Sequence, residues 1–207
     1  MERGLQGYVL DINVARDEDL WVGVLTSSKM ARLYRFYGAR HSVIQIGHKI
    51  DFEEEQGGAI PRLRSVMHLG FVWERDNHRR YWWQQYLRLL YRHLRDVEEM
   101  EGFYYALLDQ VSRRLERQDA KRAILESHAA LLEYEGRSHG LERCFLCEGE
   151  LGDEVALARG FIGAHPECVY GRGIERARIE WFLREKNSTH LSDLEVEELW
   201  KILLQGI

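Results

Sequence analysis

The feature that most constrains this chain is a change of hydrophobic period near residue 76. Before it, apolar residues alternate. Tyr8, Leu10, Ile12 and Val14 share one parity, with Val9, Asp11 and Asn13 on the other; a period of two is that of a strand with one covered face. The charged cluster at 16–19 predicts a turn, and Leu20 to Thr26, apolar on both parities, predicts a buried strand. Lys29 to Tyr37 is rich in aromatic and aliphatic residues and stops at Gly38. Ile44, Ile46, Ile50 and Phe52 again share a parity, Gly57-Gly58 breaks the chain, and Leu63, Met67, Leu69, Phe71 and Trp73 alternate. Some five short strands this closely spaced predict a small barrel or sandwich.

After residue 76 the spacing is helical. Trp83, Leu87, Leu90 and Leu94 recur on one face, as do Tyr104, Leu107, Leu108, Val111 and Leu115, and then Ile124, Ser127, Leu131 and Tyr134. Asp119 is an expected N-cap, and Gly136 and Gly140 are expected to end the third helix. A fourth helix is expected around 174–185. Ser192-Asp193-Leu194-Glu195 fits a capping box opening the last helix, with Leu194, Leu199, Trp200, Ile202 and Leu203 as its apolar face. The predicted fold class is therefore α+β. A five-stranded barrel over 1–76 precedes an α-helical domain over 77–207, which carries an irregular insert at about 141–172.

Within that insert lie all three cysteines. Cys144-Phe145-Leu146-Cys147 is a C-x-x-C pair, and His165-Pro166-Glu167-Cys168 an H-x-x-C pair 17 residues further on. Two tight turns, each aiming two ligands at one point, are the layout of a zinc knuckle, and Cys144, Cys147, His165 and Cys168 form a Cys3His set for one structural Zn2+. Four protein ligands leave no open position for a substrate water. The bland alternative is buried free thiols beside an unrelated histidine, but one C-x-x-C alone would be weak and the pairing is not. A thioredoxin-like redox pair lacks its βαβ context. His139 lies near enough in sequence to compete as fourth ligand.

The formal net charge is −5, so the basic balance common in nucleic-acid-binding proteins is absent. Acidic runs at 17–19, 53–55 and 195–198 can mask a basic face elsewhere. On the first helix Arg88, Arg92 and Arg95 fall opposite the apolar stripe, and the second offers Arg113, Arg114 and Arg117. Such stripes suit phosphates or, equally, a solvated face with Glu116 and Asp109 as partners. The barrel offers Lys29, Arg32, Arg35, Arg40, Arg62 and Arg64 interleaved with Tyr34, Phe36 and Tyr37, the mixture by which single strands are held: bases stack and cations follow the backbone. Aromatic residues in strands are more often core. No phosphate-binding glycine loop, nucleophile elbow or paired carboxylates stand out, so no enzyme is expected. No apolar run reaches bilayer-spanning length. The opening residues lack a secretory hydrophobic region, which predicts a cytoplasmic protein without a membrane partner.

The order of these parts resembles the bacterial RecO family of DNA repair and recombination mediators. Gln6-Gly7-Tyr8-Val9-Leu10 resembles the family's first strand, Val24-Leu25-Thr26 the end of its second, and Gly38-Ala39-Arg40 its G-A-R turn; the two ligand pairs resemble its four-cysteine zinc module. Ser27-Ser28-Lys29 stands where the family has Glu and Gly, and His165 where it has a third cysteine, so the chain looks like a divergent member. The resemblance implies an OB-fold barrel and a non-enzymatic, cytoplasmic and nucleoid-associated protein. It implies binding of single- and double-stranded DNA, annealing of complementary strands, and association with RecR and the single-stranded-DNA-binding protein to load recombinase. Arg40 is the DNA-contact residue matched by motif; the other cations rest on spacing. A protein-interaction scaffold with little intrinsic DNA binding is the alternative.

Overall fold

The computed structural model describes residues 4–40, 43–56, 60–97 and 100–207; the Gly57-Gly58 break lies outside the described residues. Five strands, β1 (Leu5–Val14), β2 (Leu20–Thr26), β3 (Met30–Arg35), β4 (Lys49–Glu55) and β5 (Arg62–His68), form a closed barrel in the order β1-β2-β3-β5-β4. All neighbours are antiparallel except β3 and β5, which run parallel and meet at Tyr34 and Arg62. The barrel interior is filled by Val9, Val22, Val24, Leu33, Ile50, Phe52 and Leu63, with Ile12 and Val66 packed against them.

Two strands depart from simple alternation. A register shift between Val9 and Asp11 puts Ile12 on the same side as Val9, not with Tyr8 and Leu10. Tyr8 and Leu10 are nevertheless fully buried, because α1 (Asn77–Leu94) and α2 (Phe103–Arg114) pack against β1 from outside. On β5 a second shift opposite Asp51–Glu53, with Ser65 at φ 48°, turns Val66 inward and leaves Met67 exposed. The extra residue of a bulge changes which face follows it. β5 also ends at His68, and Val72–Arg75 forms a 3₁₀ turn where the alternation extends to Trp73.

The packing of helices on β1 is anchored by one polar cluster. The Tyr8 hydroxyl donates to Asp109 at 2.6 Å and lies 3.1 Å from Ser112 Oγ. Lys49 Nζ donates to the same carboxylate at 2.7 Å. Burial raises the Tyr8 pKa, and the bond to Asp109 raises it further. Burial pushes Lys49 down, but its bonds to Asp109 and Tyr105 outweigh this and the ammonium is held. Trp83 meets Tyr8 edge to face at 5.9 Å and donates its indole N–H to Gly47 O at 3.0 Å.

The chain divides into compact units at Met1–Arg117 and Gln118–Ile207. The division expected near residue 76 falls instead after α2, since α1 and α2 belong with the barrel they cover. The second unit holds α3 (Ala120–Tyr134), a three-stranded sheet, the one-turn α4 (Pro166–Val169), α5 (Arg176–Glu185) and α6 (Asp193–Leu203). The sheet, from β6 (Glu154–Ala158), β7 (Ile162–Ala164) and β8 (Ile174–Glu175) in the order β7-β6-β8, orders the stretch read as irregular. Asp119 caps α3 as expected. Gly136, at φ 66°, ends it: Arg137 N bonds Leu132 O and Gly136 N bonds Glu133 O, the paired bonds of a Schellman turn. The Ser192–Glu195 capping box is formed. On α6, Val196 is buried in place of Leu194, which is exposed. Buried Glu126 of α3 accepts from Ser188 N and Oγ, each at 2.8 Å, tying α3 to the α5–α6 connection.

Tyr8→Phe removes a hydrogen bond to a charged acceptor without opening a cavity. It is expected to lower stability by about 1–3 kcal/mol, read as a lower urea midpoint at an unchanged slope.

Candidate functional site

A ligand cluster in the second unit and an aromatic face on the barrel both offer chemistry.

Cys144, Cys147, His165 and Cys168 bring their ligand atoms within 4.8 Å of one another. The first turn is built by Cys144 N bonding Gly149 O and Glu148 N bonding Cys144 O, both 2.9 Å, with Glu148 at φ 61°. Its backbone runs so close to the cluster that a Cβ on Gly149 would lie 3.3 Å from the His165 ring. The second turn begins with Pro166 at the first position of α4, where a missing N–H costs nothing. Cys168 N bonds His165 O at 3.0 Å, so His165 and Cys168 point the same way.

The histidine presents a defined nitrogen. His165 Nε2 lies 2.9 Å from Glu150 O, and a carbonyl only accepts, so Nε2 carries the proton and Nδ1 faces the sulfurs. Cys147 Sγ is 3.2 Å and Cys168 Sγ 3.8 Å from Nδ1. Bond lengths of about 2.3 Å to sulfur and 2.05 Å to nitrogen at tetrahedral angles require about 3.6 Å between such atoms. The donor set and its spacing thus fit one zinc ion with a closed shell. His139 is not in the cluster; it lines a shallow groove with Glu133, Ser138, Glu142 and Glu180.

The cluster's protons are unevenly held. Burial pushes Cys144 up, but backbone N–H groups of Cys147, His165 and Leu146 outweigh it, and the thiol is brought down to about 6. The Glu150 carbonyl, then Cys147, hold a proton on His165, raised to about 9. Burial, then the neighbouring sulfurs, push Cys168 up to about 11. A cation bound here displaces the protons of His165 and Cys168.

On the barrel, Trp21 of β2 and Tyr34 of β3 are register partners whose rings meet edge to face at 5.1 Å. Phe36 continues the row at 5.0 Å from Tyr34. Arg32 lies over Trp21 at 4.6 Å and Arg62 over Phe36 at 5.3 Å. Tyr34 is fixed by donating to Asp19 at 2.6 Å, a bond that holds the Asp19 carboxyl below its usual range. Trp21, Tyr34, Phe36 and Arg62, with Ala15, Arg16 and Ile60, line a groove of about 500 Å³. Trp21 and Arg16 were not singled out from the sequence: Trp21 sits in a strand apolar on both parities, and only its pairing with Tyr34 shows that it faces outward.

The other cations divide. Lys29 pairs with Glu54 at 2.8 Å, Arg64 with Glu55 at 2.8 Å, Arg95 with Asp96 at 3.3 Å, and Arg40 with Glu18 while lying over Tyr37. Arg35 is half-buried and donates to Leu63 O at 2.9 Å; its burial lowers its pKa. Arg92, Arg113 and Arg117 are exposed and Arg88 half-buried, at or just beyond the solvent faces of α1 and α2. The His48–His68–Glu74 group also brings its ligand atoms together, and sequence spacing gave no sign of it.

A closed five-stranded barrel in this strand order, with its parallel β3–β5 closure, belongs to the OB-fold class. Residues 5–74 match the family model described as RecO N terminal. The barrel is thus similar to the RecO N-terminal domain, a match that supports a RecO-family protein and a general role in DNA repair or recombination. No curated protein matches the chain. Among the described residues no helix is long and apolar enough to cross a membrane.

Zinc is expected at about one ion per chain in the cysteine cluster, lost in Cys144→Ser. Because the protons of His165 and Cys168 must leave, affinity measured against a competing chelator is expected to fall by roughly tenfold per pH unit for each displaced proton as pH drops below about 9.

Proposed function

We propose that this chain is a non-enzymatic DNA repair and recombination mediator whose barrel holds single-stranded DNA on the Trp21–Tyr34–Phe36 row. The observation that carries this reading is that row itself, flanked by Arg32 and Arg62 on the β2–β3 face of an OB barrel. Every base offers a π-face, so stacking on aromatic rings holds a strand without reading its sequence. Arg16, Arg32 and Arg62 stand where phosphates of such a strand would run. Annealing needs no bond chemistry: the cations screen repulsion between two backbones while the bases remain presented.

Arg88, Arg92, Arg95, Arg113 and Arg117 on the helices are proposed as a second contact region, for double-stranded DNA, with Lys29, Arg35, Arg40 and Arg64 lesser contributors because acids or burial already engage most of them. The Cys3His cluster is proposed to hold a structural zinc ion. Association with RecR and the single-stranded-DNA-binding protein, to help load recombinase, follows from the family resemblance. The scaffold reading, in which partners supply the DNA contacts, is favoured by the net charge of −5 and by the paired state of Lys29, Arg40, Arg64 and Arg95.

Fluorescence anisotropy with a labelled single-stranded oligonucleotide separates the two. The mediator reading expects binding that weakens steeply with salt and about a tenfold loss in Trp21→Ala, the size of one lost base stack. No binding at low salt by the zinc-loaded chain, with binding by its RecR complex, would establish the scaffold reading instead.

A further inference from the structure

We propose that His48, His68 and Glu74 form a second metal site, on the barrel, for a transition-metal cation such as Zn2+. Among the described residues they make, with the cysteine cluster, the two groups whose ligand atoms converge within 4.8 Å.

The fold brings them together from three places. His48 immediately precedes β4, and His68 ends β5, which pairs with β4 at Ile50–His68. Leu69 N bonds Lys49 O at 2.9 Å, which holds the two histidine-bearing backbones side by side. Glu74 returns to them from the 3₁₀ turn, held there by Glu74 N bonding Phe71 O at 3.1 Å.

Each ligand presents a donor atom. His48 Nδ1 lies 2.9 Å from Val43 O; the carbonyl fixes the proton on Nδ1 and leaves the Nε2 lone pair open, the arrangement that orients metal-binding histidines. His68 Nε2 stands 3.0 Å from Glu74 Oε2. Yet His68 Nε2 and Glu74 Oε1 are both buried without a hydrogen-bond partner. Buried polar atoms are ordinarily satisfied, and a cation between them would satisfy both. Two imidazoles and a carboxylate are a known zinc donor set that leaves a coordination position open, unlike the closed cysteine cluster. The imidazole rings are stacked at 3.8 Å and 15°. A metal lies in the plane of each ring it binds, so loading tilts the rings out of this stack.

The test counts metal on the untagged, full-length chain after dialysis against buffered Zn2+. The His68→Gln variant is expected to hold one ion fewer than wild type, two falling to one, while Cys144→Ser keeps the ion that His68→Gln loses. This difference reads the barrel site independently of the cysteine cluster. Equal metal content in wild type and His68→Gln overturns the site. Should His68→Gln fail to fold, diethyl pyrocarbonate mapping of wild type decides: protection of His48 and His68 by Zn2+ supports it, and equal modification with and without Zn2+ overturns it.

Discussion

Closure of the barrel is the constraint on which the rest of the first unit depends. It is made where β3 and β5 run side by side, with Tyr34 N bonding Pro61 O at 3.0 Å and Tyr34 facing Arg62. A sheet closed on itself has no edges to pair with other chains, and its interior becomes a sealed apolar core. Closure has a second consequence. It carries Arg62 over the Phe36 ring and Arg35 onto Leu63 O. The aromatic row begun by the antiparallel pair Trp21–Tyr34 thereby gains a cationic wall from a strand nearly thirty residues away in sequence. Barrel core and candidate binding face are two sides of one closure.

Much of this was legible in the sequence, for identifiable reasons. The change from period two to helical spacing marks where strands give way to helices, because each period is fixed by backbone geometry. The caps at Asp119 and Ser192 are local and act as read. Parity failed where bulges intervene: one in β1 between Val9 and Asp11, one in β5 at Ser65. Alternation also misleads on β1 for a tertiary reason, since helices α1 and α2 cover its outer face and bury Tyr8 and Leu10. The strands β6, β7 and β8 escape a periodicity reading because they run to 5, 3 and 2 residues.

The sites show the same division. The cysteine cluster was readable because its ligands sit in two tight turns, where sequence spacing is spatial spacing. Trp21 was not, since only its partner on the next strand shows that it faces outward. The histidine–glutamate group was not, because its members come from three segments that only the barrel and its following turn unite. In the second unit, buried Glu126 and the packing of α3 against α5 and α6 hold the fold that carries the two ligand-bearing turns. The first unit carries the surface chemistry.

The claim that most needs a direct measurement is that bases stack on the β2–β3 face. Photo-cross-linking with a 5-bromouracil-substituted single strand, followed by mass spectrometry of the joined peptides, reports which side chains touch bases. The account predicts cross-links at Trp21, Tyr34 and Phe36. Cross-links confined to the helices α1 and α2, with none on the barrel, would contradict it.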